Sequence, residues 1–165
     1  MPERILRSRK GIPRHVRKEQ QWRQIEFTGR VGFLGFKHQA ALEKKLMPVM
    51  PQILQSIRSN NKPLVLHRVF PISAELTTTF ALMALQVRSK AKRRHAYSLM
   101  KHIAMRDCEK DYVELRAEDS ESLKNIFGSK EKAEDFWRIF GKNYAEIVSA
   151  SSAIINREWE KQQQK

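Results

Sequence analysis

Apolar and polar residues alternate through residues 24–34, QIEFTGRVGFL, and this period of two predicts a β-strand or a tight hairpin that turns at Thr28-Gly29. Residues 62–70, KPLVLHRVF, form a second short segment that contains β-branched residues and is bounded by an Asn-Asn pair and a proline. We predict that the two segments pair as a small antiparallel sheet. The sheet would pack on a helical body, which gives a helix-dominated α+β fold.

The segment between these two predicted strands shows the periodicity of a helix. From residue 37 to residue 59, apolar residues recur at three- and four-residue steps. Proline has no N–H group to donate to the helix, so Pro48 and Pro51 are expected to kink this helix or to split it in two near Met47. Asn60-Asn61 then ends the segment with residues that tolerate the left-handed conformation.

Residues 76–87, LTTTFALMALQV, are compatible with either helix or strand. Three consecutive threonines favour a strand, whereas the Ala, Leu and Met content favours a helix. Ser73 is a suitable N-cap for such a helix. We favour the helix and expect it to end or bend near Arg88-Ser89.

Residues 88–106, RSKAKRRHAYSLMKHIAMR, combine an apolar stripe with a cationic one. At about 100° per residue, four apolar residues share one arc of a helix: Ala96, Leu99, Met100 and Ile103. The cations on the opposite side are Lys90, Arg94 and Lys101, and those close to the apolar stripe are Arg88, Lys92 and Arg106. We predict a helix that packs through one face and presents cations on the other, which suits a polyanionic partner.

The last third of the chain predicts several helices in succession. Ser120 is a candidate N-cap for the first, and Gly128-Ser129 is a candidate turn. A second helix is expected over residues 130–140, and Gly141 is expected to separate it from a last one.

Charge is unevenly distributed along the 165 residues. The 32 Lys and Arg against 18 Asp and Glu give a net charge of +14. Residues 1–106 carry 22 basic and 5 acidic side chains, whereas residues 107–165 carry 10 and 13. Such a field attracts polyanions, and nucleic acid is favoured over a membrane because the basic helix lacks an aromatic-rich apolar face. No membrane association is therefore expected.

The N-terminal segment supplies a second basic element. Residues 1–23 hold eight Lys or Arg, and Gly11 and Pro13 interrupt any long helix. We expect residues 1–12 to form a flexible, extended basic arm that lies along phosphates, with a solubilising tail as the alternative. Residues 13–165 would form one compact domain, whose acidic, aromatic-containing helical part begins near residue 107.

Candidate chemical groups favour binding over catalysis. His95, His102 and Cys108 lack the paired spacing of a zinc site, so neither a metal nor a cofactor is expected. The acids of residues 107–114 precede Arg116, which cannot relay a proton as a lysine can. A charged loop that pairs with neighbouring basic residues is the simpler interpretation, and its acids are expected to raise the pKa of the Cys108 thiol. We predict that the protein is not an enzyme.

The densest aromatic group in the chain comprises Phe136, Trp137 and Phe140. A place in the core is the favoured interpretation. If these side chains are exposed, they would contact a protein partner or a second copy of the chain.

The pattern as a whole predicts non-catalytic binding of nucleic acid by an accessory or regulatory factor, as in transcription regulation. Duplex DNA is favoured because a projecting basic helix and a basic arm commonly grip a duplex. The alternatives are an RNA-binding subunit of a ribonucleoprotein and a protein–protein adaptor for an acidic partner. A single cysteine fits a reducing intracellular compartment, cytoplasmic or nucleoid-associated. The expected contact residues are Arg7, Arg9, Lys10, Arg14, Arg17, Lys18, Arg88, Lys90, Lys92, Arg93, Arg94 and Lys101.

Overall fold

The computed structural model describes residues 24–26, 36–110 and 112–164, so the arm predicted over residues 1–12 lies outside the described residues. The described elements in chain order are β1 (Gln24–Glu26), α1 (Phe36–Leu46), a 3-10 turn (Met47–Val49), α2 (Met50–Arg58), α3 (Lys62–Ala84), α4 (Lys90–Arg106), β2 (Tyr112–Glu114), α5 (Ala117–Phe127) and α6 (Lys130–Gln163). The helix-dominated character is confirmed. The division into an arm and one domain stays a prediction.

The predicted sheet between residues 24–34 and 62–70 is wrong. Residues 62–70 belong to α3, and the side chains that they bury are one, three or four positions apart, as a helix requires: Val65, Leu66, Val69 and Phe70. The three residues of β1 instead pair antiparallel with β2, with Ile25 opposite Val113.

The split in the first helical segment is confirmed. The 3-10 turn over Met47–Val49 separates α1 from α2, and Pro48 and Pro51 each lie within the first two positions of the element that they begin. At these positions the missing N–H group has no helical partner to lose. The two prolines therefore end one helix and start the next.

The ambiguous segment within residues 76–87 is helical as far as Ala84. α3 continues past Pro71, and Ser73 lies buried inside the helix instead of capping it. The hydroxyl of Thr77 donates to the carbonyl oxygen of Ser73 at 2.6 Å, and that of Thr78 donates to the carbonyl four residues earlier at 2.7 Å. Because the helix backbone satisfies these fully buried hydroxyls, the strand preference of threonine is overridden.

A left-handed residue ends α3 and turns the chain towards α4. Gln86 has φ 56°, and its N–H donates to the carbonyl of Met83 at 3.0 Å. The N–H of Val87 donates to the carbonyl of Leu82 at 3.0 Å, which completes a Schellman motif. The predicted break near Arg88-Ser89 is confirmed, and the motif fixes the direction in which the chain leaves α3.

The C-terminal helices differ from the prediction at two points. α5 begins at Ala117 with Arg116 as its N-cap, not at Ser120, and α6 runs unbroken past Gly141. Phe140 and Tyr144, on either side of that glycine, are buried in one core with ring centroids 4.9 Å apart. Because the residues on both sides of Gly141 are buried in the same core, the helix continues through the glycine. The turn at Gly128-Ser129 is confirmed.

The helices α3 and α6 are central because both contribute to each of two apolar clusters. One cluster joins them to α4, α5 and β2, and the other joins them to α1 and α2. α4 is therefore held by its apolar face against α3. Within the described ranges, no helix combines the length and the apolar character needed to cross a membrane.

Replacing Gly128 by alanine is expected to lower the free energy of unfolding by about 1 kcal/mol. Gly128 ends α5 with φ 84°, a conformation that costs a residue with a Cβ atom about this much, although the added Cβ would meet no atom within 4 Å. Gly128→Asn is the matched control, since asparagine tolerates the left-handed conformation and should lose less. Urea unfolding of both variants measures the difference, and equal losses would contradict the backbone explanation.

Candidate nucleic-acid interface

The N-terminal part of α4 extends beyond the core of the protein. Ser89 caps the helix, because its hydroxyl oxygen accepts a hydrogen bond from the N–H of Lys92 at 3.3 Å. Residues 90–95 are all exposed, and Ala96 is the first buried residue of the helix. At 1.5 Å per residue, about 9 Å of helix therefore stands clear of the apolar core.

The exposed end of α4 carries most of the predicted contact residues. Arg88, Lys90, Lys92, Arg93 and Arg94 are exposed, and within the described part of the chain none of them forms an ion pair. The first turn of α4 contains no acidic residue. The N-terminus of a helix carries partial positive charge, which cations oppose and anions complement. This end of α4 is therefore strongly attractive to an anion.

These cations form two groups around the helix. Lys90, Arg93 and Arg94 lie within one arc of about 100°, in which only Lys90 and Arg94 face away from the apolar stripe. We call all three the outer cations, because none of them lines the pocket beside the helix. Arg88 and Lys92 instead line a pocket between α4 and the rest of the protein, and we call them the inner cations. The two groups can therefore be tested separately.

Lys101 is placed differently from the other predicted contacts. Its ammonium group lies 3.5 Å from a carboxylate oxygen of Glu75 on α3, which also contacts Lys45 at 3.2 Å. Burial raises the pKa of Glu75, but the hydrogen bonds and charges of the two lysines outweigh burial and lower that pKa overall. Lys101 also lies about 10 Å along the helix from Arg94. Its charge is shared with Glu75 and it does not belong to the exposed end.

One cation near the interface was missed by the sequence reasoning. Lys132, in the first turns of α6, lines the same pocket as the inner cations Arg88 and Lys92. It lies in the part of the chain with net negative charge, 40 positions from Lys92 along the sequence. The sequence holds no signal for this approach, because it depends on how α5 and α6 pack beside α4. The six predicted contacts on the arm, Arg7, Arg9, Lys10, Arg14, Arg17 and Lys18, lie outside the described residues.

Among the acids of the predicted charged loop, Asp107 pairs with neighbouring cations, whereas Glu109 and Glu114 form no ion pair with any described residue. Arg106 contacts Asp107 at 3.1 Å and Asp119 at 2.9 Å, and it donates to the carbonyl oxygen of Glu114 at 2.6 Å. The side chains of Asp107 and Asp119 are 0% and 4% exposed. These two carboxylates hold β2 and α5 to the end of α4, and they are enclosed by the protein.

The candidate metal ligands are not brought together. His95 and His102 are exposed on α4, whereas Cys108 is buried. Among the described residues, no group of three or more His, Cys, Asp or Glu could hold a metal ion. Burial raises the pKa of the Cys108 thiol, with further contributions from Glu109 and Asp107, so the predicted direction is confirmed.

The alternative interpretation of the aromatic group as a contact surface is wrong. Phe136, Trp137 and Phe140 are 0%, 2% and 1% exposed and belong to the core. Three stacked rings explain the clustering: Phe140 lies between Trp137 and Tyr144, with centroids 5.8 Å and 4.9 Å away. No partner can reach these side chains in the folded protein.

The interpretation of this site rests on its own residues, because comparisons with known proteins add no information. A scan against protein-family models, a search of curated proteins and a search of solved structures each returned no match.

Proposed function

We propose that this protein binds nucleic acid without catalysing a reaction, and that the exposed end of α4 grips the phosphate backbone. The observation that carries the proposal is the exposure of residues 90–95, with three outer cations that have no acidic partner in the described part of the chain. Phosphate contacts by such side chains supply the salt-dependent part of nucleic-acid affinity. The basic arm would add further contacts of the same kind.

The placement of the cations at the N-terminus of α4 supports an anionic partner. Each cation in the first turn opposes the helix dipole and costs roughly 0.3–1 kcal/mol of stability. A sequence shaped for stability alone would place acids there, as in the first turn of α5 with Glu118 and Asp119. A phosphate bound at this end would relieve the repulsion among the cations and complement the dipole.

Duplex DNA is the proposed ligand. Helices that enter the major groove commonly lead with their N-terminal residues, while other elements of the protein rest on the backbone. A free helix end of about 9 Å is comparable in length to the depth of that groove, which is about 8.5 Å. The deep, narrow major groove of an RNA helix does not admit a helix in this way.

Removal of the outer cations tests the proposal. Changing Lys90, Arg93 and Arg94 to alanine should lower affinity for a duplex of about 20 base pairs on the order of a hundredfold near 0.15 M salt. The negative slope of log K against log salt should become shallower by about 2 to 3. The same variant should unfold at slightly higher urea concentration, because Lys90 leaves the first turn of the helix and the repulsion among the remaining cations falls. Fluorescence anisotropy and urea titration measure the two effects.

A variant with equal charge loss elsewhere is the control. Lys44, Lys62 and Lys142 are exposed on α1, α3 and α6, and changing all three to alanine removes the same charge. This control should lose less than about fivefold, because only the long-range field changes. Equal losses in both variants would overturn the assignment to α4. Tighter binding of structured RNA would favour the ribonucleoprotein alternative, and no binding to either polymer would favour an acidic protein partner.

A further inference from the structure

A pocket of about 450 Å³ lies between the start of α4, the end of α5 and the first turns of α6. The connection between α3 and α4 forms one wall of it. Pockets that hold small molecules range from about 300 to 1,000 Å³, so this one has room for a ligand of moderate size. None of the outer cations lines it, and it is therefore a separate feature of the same surface.

The charge of the pocket is positive. Arg88 from the connection, Lys92 from α4 and Lys132 from α6 line it, and none of the three forms an ion pair within the described residues. Asp135 also lines it, but a carboxylate oxygen of Asp135 lies 2.8 Å from the guanidinium group of Arg138. Three unpaired cations from three elements therefore meet in this pocket, and its one acid already has a partner. Because the positive charge is in excess, the pocket would bind an anionic group.

The remainder of the lining comprises two neutral polar residues, Gln86 and Ser89, and an apolar part. Leu85 and Val87 are partly buried and pack against the core, and Phe127 is 4% exposed at the end of α5. A bare phosphate would use the cations and leave this surface in contact with water. A base inside a duplex is stacked on both faces and cannot reach it. The ligand that fits both halves carries a phosphate next to an unstacked, flat, weakly polar ring.

We infer that this pocket binds one nucleotide whose base is free of stacking, with its phosphate at Arg88, Lys92 and Lys132 and its base against Leu85, Val87 and Phe127. The inference rests on the proposed function in so far as a nucleic-acid strand supplies the nucleotide. The outer cations would hold the backbone of the polymer, while the pocket would take an unpaired nucleotide. A free nucleotide has the same chemistry and is the other possible source.

Calorimetric titration of the full chain with adenosine 5′-monophosphate tests the pocket. Ribose 5-phosphate has the same phosphate without the base, and it should bind at least fivefold more weakly. Lys132→Ala should weaken the binding of adenosine 5′-monophosphate about tenfold, since one charge-assisted contact is lost. Lys130→Ala is the matched control, because Lys130 lies on the same turn of α6 but outside this pocket, and it should change binding less than twofold.

Competition experiments identify the source of the nucleotide. A single-stranded DNA of ten nucleotides should displace the mononucleotide, whereas a duplex with closed ends should not. Failure of the single strand to compete would assign the pocket to a free nucleotide and would still support it. The pocket is overturned if ribose 5-phosphate binds as tightly as the nucleotide, or if Lys132→Ala and Lys130→Ala behave alike. Duplex binding by the variant that lacks the outer cations tests the proposed function separately. Its outcome does not depend on the results for the pocket.

Discussion

Replacing Arg106 by alanine is expected to lower the free energy of unfolding by about 3–5 kcal/mol. Arg106 is 15% exposed and contacts two carboxylates and one carbonyl oxygen that belong to the loop after α4, to β2 and to α5. Urea unfolding at pH 7, followed by far-UV circular dichroism, measures the loss.

The size of this stability loss follows from the enclosed carboxylates that remain in the protein when Arg106 is removed. Without the guanidinium group, the carboxylates of Asp107 and Asp119 stay enclosed, and only Lys110, 3.3 Å from Asp107, remains as a cation close to either of them among the described residues. Uncompensated buried charge costs far more than a lost surface contact. Arg106→Lys keeps the charge but cannot reach all three acceptors, so it should fall between the wild type and the alanine variant.

The cost of Arg106→Ala should depend on pH. Burial would raise the pKa of Asp107, but hydrogen bonds from Arg106 and from the N–H of Glu114, with the charges of Arg106 and Lys110, lower it below its usual value of 3.8. A depressed pKa stabilises the fold above the unfolded-state value, and this contribution is lost as the pH falls through the folded-state pKa. The difference in unfolding free energy between the wild type and Arg106→Ala should therefore narrow as the pH falls towards about 4 and continue to narrow below it.

Arg157 provides the comparison for Arg106. It lies 2.8 Å from Glu43 and 3.0 Å from Glu158, but its side chain is 43% exposed. Arg157→Ala should cost less than about 1 kcal/mol, because water screens both pairs. If the two variants lost equal stability, or if the cost of Arg106→Ala did not change with pH, the enclosed ion pairs would not be what holds this part of the fold.

Local chemistry allowed the sequence to predict several boundaries. Proline geometry places the division between α1 and α2, and Asn60, with φ 55°, ends α2 as expected for a residue that tolerates the left-handed conformation. The break near Arg88-Ser89 could also be predicted, because a new period of apolar residues begins after it, and the structure shows that Ser89 caps the helix there. Each of these signals lies within a few residues of the feature that it predicts.

Features that depend on packing could not be predicted. α3 buries side chains around most of its circumference, so residues 62–70 show a short apolar run that is typical of a buried strand as well. The sequence places Arg106 only beside the apolar stripe, because its partner Asp119 lies 13 positions away on another helix. Lys132 was missed for the same reason. Contacts between elements that are distant in sequence decide which charges are enclosed and which remain available to a ligand.

Replacing Phe136 by alanine is expected to cost about 3–5 kcal/mol of unfolding free energy. The ring is 0% exposed, and its centroid lies 4.8 Å from that of Phe127 and 6.1 Å from that of Phe140. Its removal leaves a cavity where α5 meets α6, and the rigid helices on both sides cannot close it fully. The midpoint of urea unfolding should fall while the slope stays unchanged, since the surface exposed on unfolding is similar.

Met83→Ala is the control variant for Phe136→Ala. It shows whether the loss of stability comes from the burial of the side chain or from the removal of any apolar side chain. Met83 is 69% exposed on α3, so its replacement should change stability by no more than about 0.5 kcal/mol. A partner surface at Phe136 would give the opposite pattern, with stability retained and self-association lost. Light scattering after gel filtration tests this at a temperature where Phe136→Ala is folded, and the variant should have the mass of the wild type. Retained stability in Phe136→Ala would contradict its place in the core, because a fully enclosed aromatic ring cannot be removed without loss of its packing.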